Sequence, residues 1–282
     1  MIAIITDSTC DIPQELIAKY NILVVPQYII WGEEQFRDRV DMQPEEFYQR
    51  LEGSNLRPTS SQATEMDFLQ AIQAAAVQGA DRVIILTVSA AMSGTYQMAL
   101  NAAKKASIPV EVIDSKGPTM SLGWQVLAAA RARDGGEDVD AIIERVAQVR
   151  VGLVQMVAME TLEYLHTGGR IGDAVKWVGG VLNVKPLISI NHQSGRVQPV
   201  SLARTHKKVV DLLYKKFFEE LEGTKNLRVA VLHGNALEEA QELAAKIKET
   251  FDPIELVINI TGPVLGINTG PRALALCGYS EP

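Results

Sequence analysis

Along the first half of the chain, short apolar runs alternate with stretches in which apolar positions recur every three or four residues. Residues 1–5, 83–88 and 109–113 are apolar runs rich in β-branched side chains, and they predict buried strands. Leu16, Ile17 and Tyr20 follow Pro13, which suits the first turn of a helix. Phe68, Leu69, Ile72 and Ala76 follow Thr64, a cap with Asp67 three residues on, and Gly79 stops that helix. Tyr96, Ala99, Leu100 and Ala103 recur at i, i+3, i+4 and i+7, the buried face of a third helix. Residues 121–133 and 139–149 predict two more, the second leading into a strand at 153–159. The repeated order of strand, polar loop and helix predicts a parallel α/β sheet for roughly the first 150 residues.

Other stretches of this half fit the pattern less cleanly. Residues 22–31 are apolar but broken by Pro26, which points to an edge or bulged strand. Residues 32–41 are charged and are expected at the surface. Residues 44–51 predict a short helix with Phe47 and Leu51 on one face. In the second half, three glycine groups fall within thirty residues. They precede strands at 184–190 and 196–201 joined by a hairpin at 192–195. A helix at 205–221, a strand at 227–232, a helix at 237–251 and strands at 255–260 and 273–279 complete the pattern. This mixed order predicts a second α/β domain, with the division expected at 1–151 and 152–282.

The polar positions gather where the strands end. Asp7, Ser8, Thr9 and Asp11 follow the first strand, Thr59, Ser60 and Ser61 precede the Thr64 helix, and SAAMSGT lies between the strand and helix of 82–104. DSKGPTMSLG repeats the arrangement after the next strand. Ligands of open parallel sheets sit at the carboxyl ends of strands. Ser93 reads as an N-cap, and Gly94 would let a ligand approach the backbone at a helix start suited to an anion. Ordinary capping and turn chemistry accounts for each loop equally well.

Composition narrows the class. The 282 residues are 47% hydrophobic and 22% charged, with a net charge of −7. Such a balance fits a soluble globular chain and argues against nucleic acid as the main partner. Two cysteines are too few for a disulfide scaffold, and the four histidines lack metal-ligand spacing, so no metal or other cofactor is expected. The apolar stretch 83–101 carries too many hydroxyl and amide groups for a membrane helix. The first ten residues lack a basic segment and reach Asp7 early, so a cytoplasmic location without stable membrane insertion is expected. Phosphate-loop, dinucleotide and nucleophile-elbow motifs are missing, and no base is placed for Ser93 as a nucleophile.

Seven segments together resemble the DegV family: ITDSTCDIP near the start, TSSQAT at 59–64, SAAMSGTYQ at 89–97, VIDSKGPTMSLG at 112–123, HTGGRI at 166–171, NVKPLISI at 183–190 and GPVLGINTG at 262–270. They span nearly the whole chain in the family's order. The resemblance implies two α/β domains with a ligand site at their interface. It implies binding of one long-chain fatty acid and no catalysis by the chain itself. In some family members the carboxylate is presented to a separate fatty acid kinase subunit, which forms acyl phosphate. By the same resemblance Ser60 and Ser93 hold the carboxylate, with Gly94 and Asn268 beside it. Arg170 and Arg204 match basic positions that would dock the kinase.

Elementary energetics agrees with that expectation. Burying a sixteen-carbon chain is worth on the order of 12 kcal/mol at about 0.8 kcal/mol per methylene. The carboxylate must then find hydrogen-bond donors, which two hydroxyls and a helix start supply. Three departures stand out. Ser60-Ser61-Gln62-Ala63 replaces the family's T-S-Q-P, Asn268 replaces a histidine, and Arg272 replaces a glycine. Asparagine can donate to a carboxylate but cannot carry a proton near neutral pH. The alternative function is a phosphotransfer or hydrolytic enzyme whose glycine loops bind phosphate.

Overall fold

The structure, a computed structural model, describes residues 1–177 and 184–281. Asn183 of NVKPLISI and the pair Gly179 and Gly180 lie outside the described residues. The first part of the chain runs β1 (Ile2–Asp7), α1 (Gln14–Lys19), β2 (Leu23–Val25), β3 (Tyr28–Trp31), β4 (Glu34–Arg37), α2 (Pro44–Gly53), β5 (Thr59–Ser61), α3 (Glu65–Val77), β6 (Arg82–Thr87), α4 (Thr95–Ala103), β7 (Val110–Asp114), α5 (Met120–Asp134) and α6 (Val139–Gly152). The rest comprises β8 (Val154–Ala158), α7 (Glu163–Thr167), β9 (Lys185–Asn191), β10 (Arg196–Ala203), α8 (His206–Glu220), β11 (Leu227–His233), α9 (Leu237–Phe251), β12 (Glu255–Ile260), α10 (Pro263–Thr269) and β13 (Leu274–Ser280).

Three sheets follow from these strands. A parallel sheet has the order β2-β1-β6-β7, and a six-stranded mixed sheet has the order β10-β9-β8-β13-β11-β12. The third is a small antiparallel sheet, β4-β3-β5. Alternation of side chains across each strand sorts the core into layers. Ala3, Ile5, Val83 and Ile85 pack beneath α3 and α4, while Ile4, Ile84 and Leu86 face the other way onto α5. In the large sheet Met156, Ala158, Val229 and Val231 pack beneath α8 and α9, while Val157, Ile188, Ala230 and Cys277 face α5.

Helix α5 therefore lies between two sheets, and twelve of its fifteen residues are buried. A helix buried on every side needs no polar stripe. Its cationic residues, Arg131 and Arg133, come only in the last turn, where they favour the helix dipole. The expected cap of α3 holds, Thr64 and Asp67 forming a reciprocal capping box; in the structure Thr205 also caps α8 through the Lys208 amide.

Three expectations need correction. The apolar run at 22–31 splits at Pro26 into strands of two different sheets, β2 and β3. The charged stretch after it is not all exposed: Asp38 is buried, and Arg39 is paired with buried Asp11. Residues 59–61 form a strand rather than a loop, pairing Ser60 with Ile29 and Ser61 with Tyr28. Three elements went unforeseen as well: β4, α7 and α10. The segment at 262–270 contains a helix, α10, opened by Pro263 at its first position.

Candidate functional site

Loops at the carboxyl ends of β1, β6 and β7 meet β5, α10 and the inner face of β8, β9 and β10 around a cavity. It offers about 190 Å³ of room to water-sized molecules. Ser60, Ser61 and Gln62 line it with Ser93, Asn268, Thr269, Thr9 and Gln27. Val157 on β8, Ile188 and Ile190 on β9 and Val197 on β10 supply an apolar wall, joined by Val88 and Leu165. The cross-strand pairs Val157–Ile188 and Val197–Ile190 make that wall one continuous sheet face.

Asp7, fully buried at the end of β1, arranges much of the polar end. One carboxylate oxygen accepts from the Thr9 amide at 3.0 Å, the Thr9 hydroxyl at 2.6 Å and Gln27 Nε2 at 3.1 Å. The other accepts from the Val88 amide at 2.8 Å, tying the ends of β1 and β6 together. Burial pushes this carboxyl above its usual range, and the four donors oppose the shift.

Ser93 reaches the cavity without serving as the cap expected of it. Gly94 occupies the capping position of α4 with no side-chain cap, and Ser93 stands one residue earlier. The Ser93 hydroxyl lies 2.9 Å from Thr95 Oγ1 and accepts from the Thr95 amide at 3.3 Å. Gly94 is not part of the wall. A Cβ there would lie 2.7 Å from Gln62 Oε1, so the missing side chain makes room for the Gln62 amide, which does line the cavity.

Asn268 stands in the last turn of α10. Its amide nitrogen donates to the Val264 carbonyl at 3.0 Å, and its buried Oδ1 has no partner. It packs so closely on Gly168 that a side chain at that glycine would collide with it. Arg170, exposed, also borders the cavity; its Nε donates to the Met92 carbonyl at 3.1 Å and its Nη1 to the Gly168 carbonyl at 2.5 Å. It thereby joins the glycine turn to the Ser93 loop. A smaller adjoining pocket shares Ser60, Arg170 and Asn268 and adds Arg57 and Tyr164, stacked 4.4 Å apart. Arg204 is exposed between β10 and α8 and is not part of either wall. Arg272 pairs with Glu239 at 3.0 Å.

Helix α10 is fastened by acidic groups from the start of the chain. Asp11 accepts from the Gly262 amide at 2.9 Å and from Arg39 at 2.6 Å, and Arg39 also donates to the Ile260 carbonyl. Asp38 beside them accepts from Ser8 at 2.7 Å, and burial raises its carboxyl to about 7. Sequence reasoning did not find Gln27 or Gln155, the other wall amides. Gln155 had a signal, as a lone amide inside an apolar strand. Among the described residues no aspartate, glutamate or histidine lines the main cavity. No metal-binding group of side chains and no helix able to cross a membrane occurs among them.

Comparison with known proteins agrees with this architecture. A DegV domain-containing protein of Halalkalibacterium halodurans is 30% identical over 285 residues, covering 99% of both chains. A solved DegV family protein of Thermus thermophilus, described by its fatty acid binding, superposes with a TM-score of 0.90 at 30% identity and 99% coverage of each chain. A stearic acid-binding protein of Eubacterium ventriosum gives 0.91 at 26% identity, covering 99% of this chain and 98% of its own. The family model described as uncharacterised protein, DegV family, matches residues 1–281, and the chain belongs to that family.

Proposed function

We propose that the chain binds one long-chain fatty acid. The carboxylate would sit among Ser60, Ser93 and Asn268, and the acyl chain would lie along Val157, Ile188, Ile190 and Val197. The observation that carries this reading is a cavity with hydroxyl and amide groups at one end and a sheet face of aliphatic side chains beyond them. A carboxylate buried without donors would be costly, and hydroxyl groups supply them. The fatty acid binding stated for the Thermus and Eubacterium relatives supports it.

The chain is read as a carrier rather than an enzyme. Ser93 has a hydroxyl and an amide for neighbours, and no described wall residue is a carboxylate or imidazole able to take its proton. The carrier presents the head group to a separate kinase subunit, in the cytoplasm, at the mouth bordered by Arg57 and Arg170. Arg170, with Arg204 farther off, is proposed to dock that subunit.

Denaturing extraction of the purified protein followed by mass spectrometry tests the ligand. Near-stoichiometric fatty acid is expected, and a nucleotide or sugar phosphate instead would favour the phosphate-binding alternative. For the partner, Arg170→Ala should reduce acyl phosphate formation with a cognate kinase far more than it reduces lipid affinity. The wild-type reaction should weaken as salt rises. Equal losses of lipid affinity and turnover would confine Arg170 to the pocket.

A further inference from the structure

The aliphatic wall contains a polar break that a plain acyl chain does not use. Gln155 is 1% exposed on β8, two residues before Val157 and on the same face. Its Nε2 donates to Thr119 Oγ1 at 3.0 Å, its Oε1 accepts from Ser121 Oγ, and Ser121 Oγ also contacts the Pro118 carbonyl at 3.1 Å. Gln155 and Thr119 both line the cavity. The three side chains carry four donor hydrogens, two on the glutamine and one on each hydroxyl. Only three hydrogen-bonded contacts join them to one another and to Pro118. At least one donor is therefore unspent, whichever way the glutamine amide is turned.

The backbone is held for this arrangement. Thr119, at φ 54° and ψ −139°, is a β-branched residue in a region ordinarily left to glycine. The carboxyl end of β8 leads toward Leu165 and Arg170, and Gln155 lies two residues the other way from Val157, about 7 Å along the strand. Thr119 follows β7, the neighbour of β6, whose loop carries Ser93.

We infer that Gln155 and Thr119 form a mid-chain polar subsite, and that this protein prefers a long-chain fatty acid bearing an oxygen, such as a hydroxyl, partway along its acyl chain. The inference rests on the fatty acid reading and names the class within it. An acceptor oxygen at that depth takes the unspent donor. A plain methylene chain leaves it unpaired against hydrocarbon.

Competition calorimetry on delipidated full-length protein tests this with stearate, 10-hydroxystearate and 12-hydroxystearate. At least one hydroxy acid should bind about ten-fold more tightly than stearate. In Gln155→Leu the ratio of the two affinities should collapse toward one, whereas Thr119→Ser, which keeps the hydroxyl, should retain it. Stearate binding with no preference for either hydroxy acid overturns the inference and leaves the fatty acid reading standing. A preference that survives in Gln155→Leu overturns it too. Failure of all three acids to bind removes the fatty acid reading itself and the inference with it.

Discussion

The two ends of the cavity are built by opposite means. At the hydroxyl end, loops and short elements from distant parts of the chain converge, and a buried carboxylate, Asp7, holds Thr9, Gln27 and Val88 in place. At the aliphatic end, the wall is a face of regular β-sheet whose spacing is set by strand pairing. The first depends on a few directed bonds, each costly to leave unmade. The second depends on volume, and many aliphatic side chains could fill it. Damage at the polar end should therefore be steep, and damage at the aliphatic end shallow.

The harshest break is Asp7→Ala. It strips the acceptor from two buried amide N–H groups and from Gln27, and each orphaned donor costs about 1–3 kcal/mol. A loss above about 3 kcal/mol is expected in urea unfolding. A loss below about 1 kcal/mol would show that the loops are held by something else.

Next in size is the pH response of Asp38, beside the α10 anchor. Its folded-state value is raised by burial from 3.8 to about 7, so folding favours the protonated acid. That contribution is complete below about pH 4 and is lost as pH climbs to 7, by at most about 1.4 kcal/mol per unit. Asp38→Asn should flatten the fall in stability across that window. Parallel curves for variant and wild type would assign the slope to other groups.

Ser60→Ala and Ser93→Ala probe the head group directly. Each should weaken fatty acid binding by about 1–3 kcal/mol, and the pair by less than the sum, since both serve one carboxylate. Calorimetry showing two unchanged affinities would move the carboxylate elsewhere. The mildest change is Ile188→Val in the aliphatic wall. It should cost about 1 kcal/mol of folding stability and shift fatty acid affinity less than either serine change. A larger loss of affinity than the serines give would reverse the comparison.

Much of the regular structure was legible because its signals are local. The Thr64–Asp67 box and the apolar periods of α3 and α4 each depend on neighbours a few residues apart. Ser60, Ser93 and Asn268 were placed by motif order, and the structure brings all three to one cavity. What was not legible depends on distant partners. Residues 59–61 become a strand only because β3 is there to pair with them. Asp38 and Arg39 sit in a stretch as charged as any surface loop, yet Ser8, Asp11 and Ile260 draw them inward. Gly94 was read for a ligand, but the group filling its space is Gln62, from a segment thirty-two residues earlier.

The burial of α5 between the two large sheets bears on how the polypeptide can be divided. A cut after residue 151 would sever one peptide bond but leave α5 with an apolar flank stripped of its cover, since Val157, Ile188 and Cys277 belong to the other piece. The amino-terminal fragment expressed alone should precipitate, and the carboxyl-terminal fragment should expose the inner surface of its sheet. Produced together in one cell, the two should dock through α5 and reconstitute a soluble heterodimer. The same geometry makes the α6–β8 junction, where Leu153 alone separates helix from strand, a poor place to end the chain.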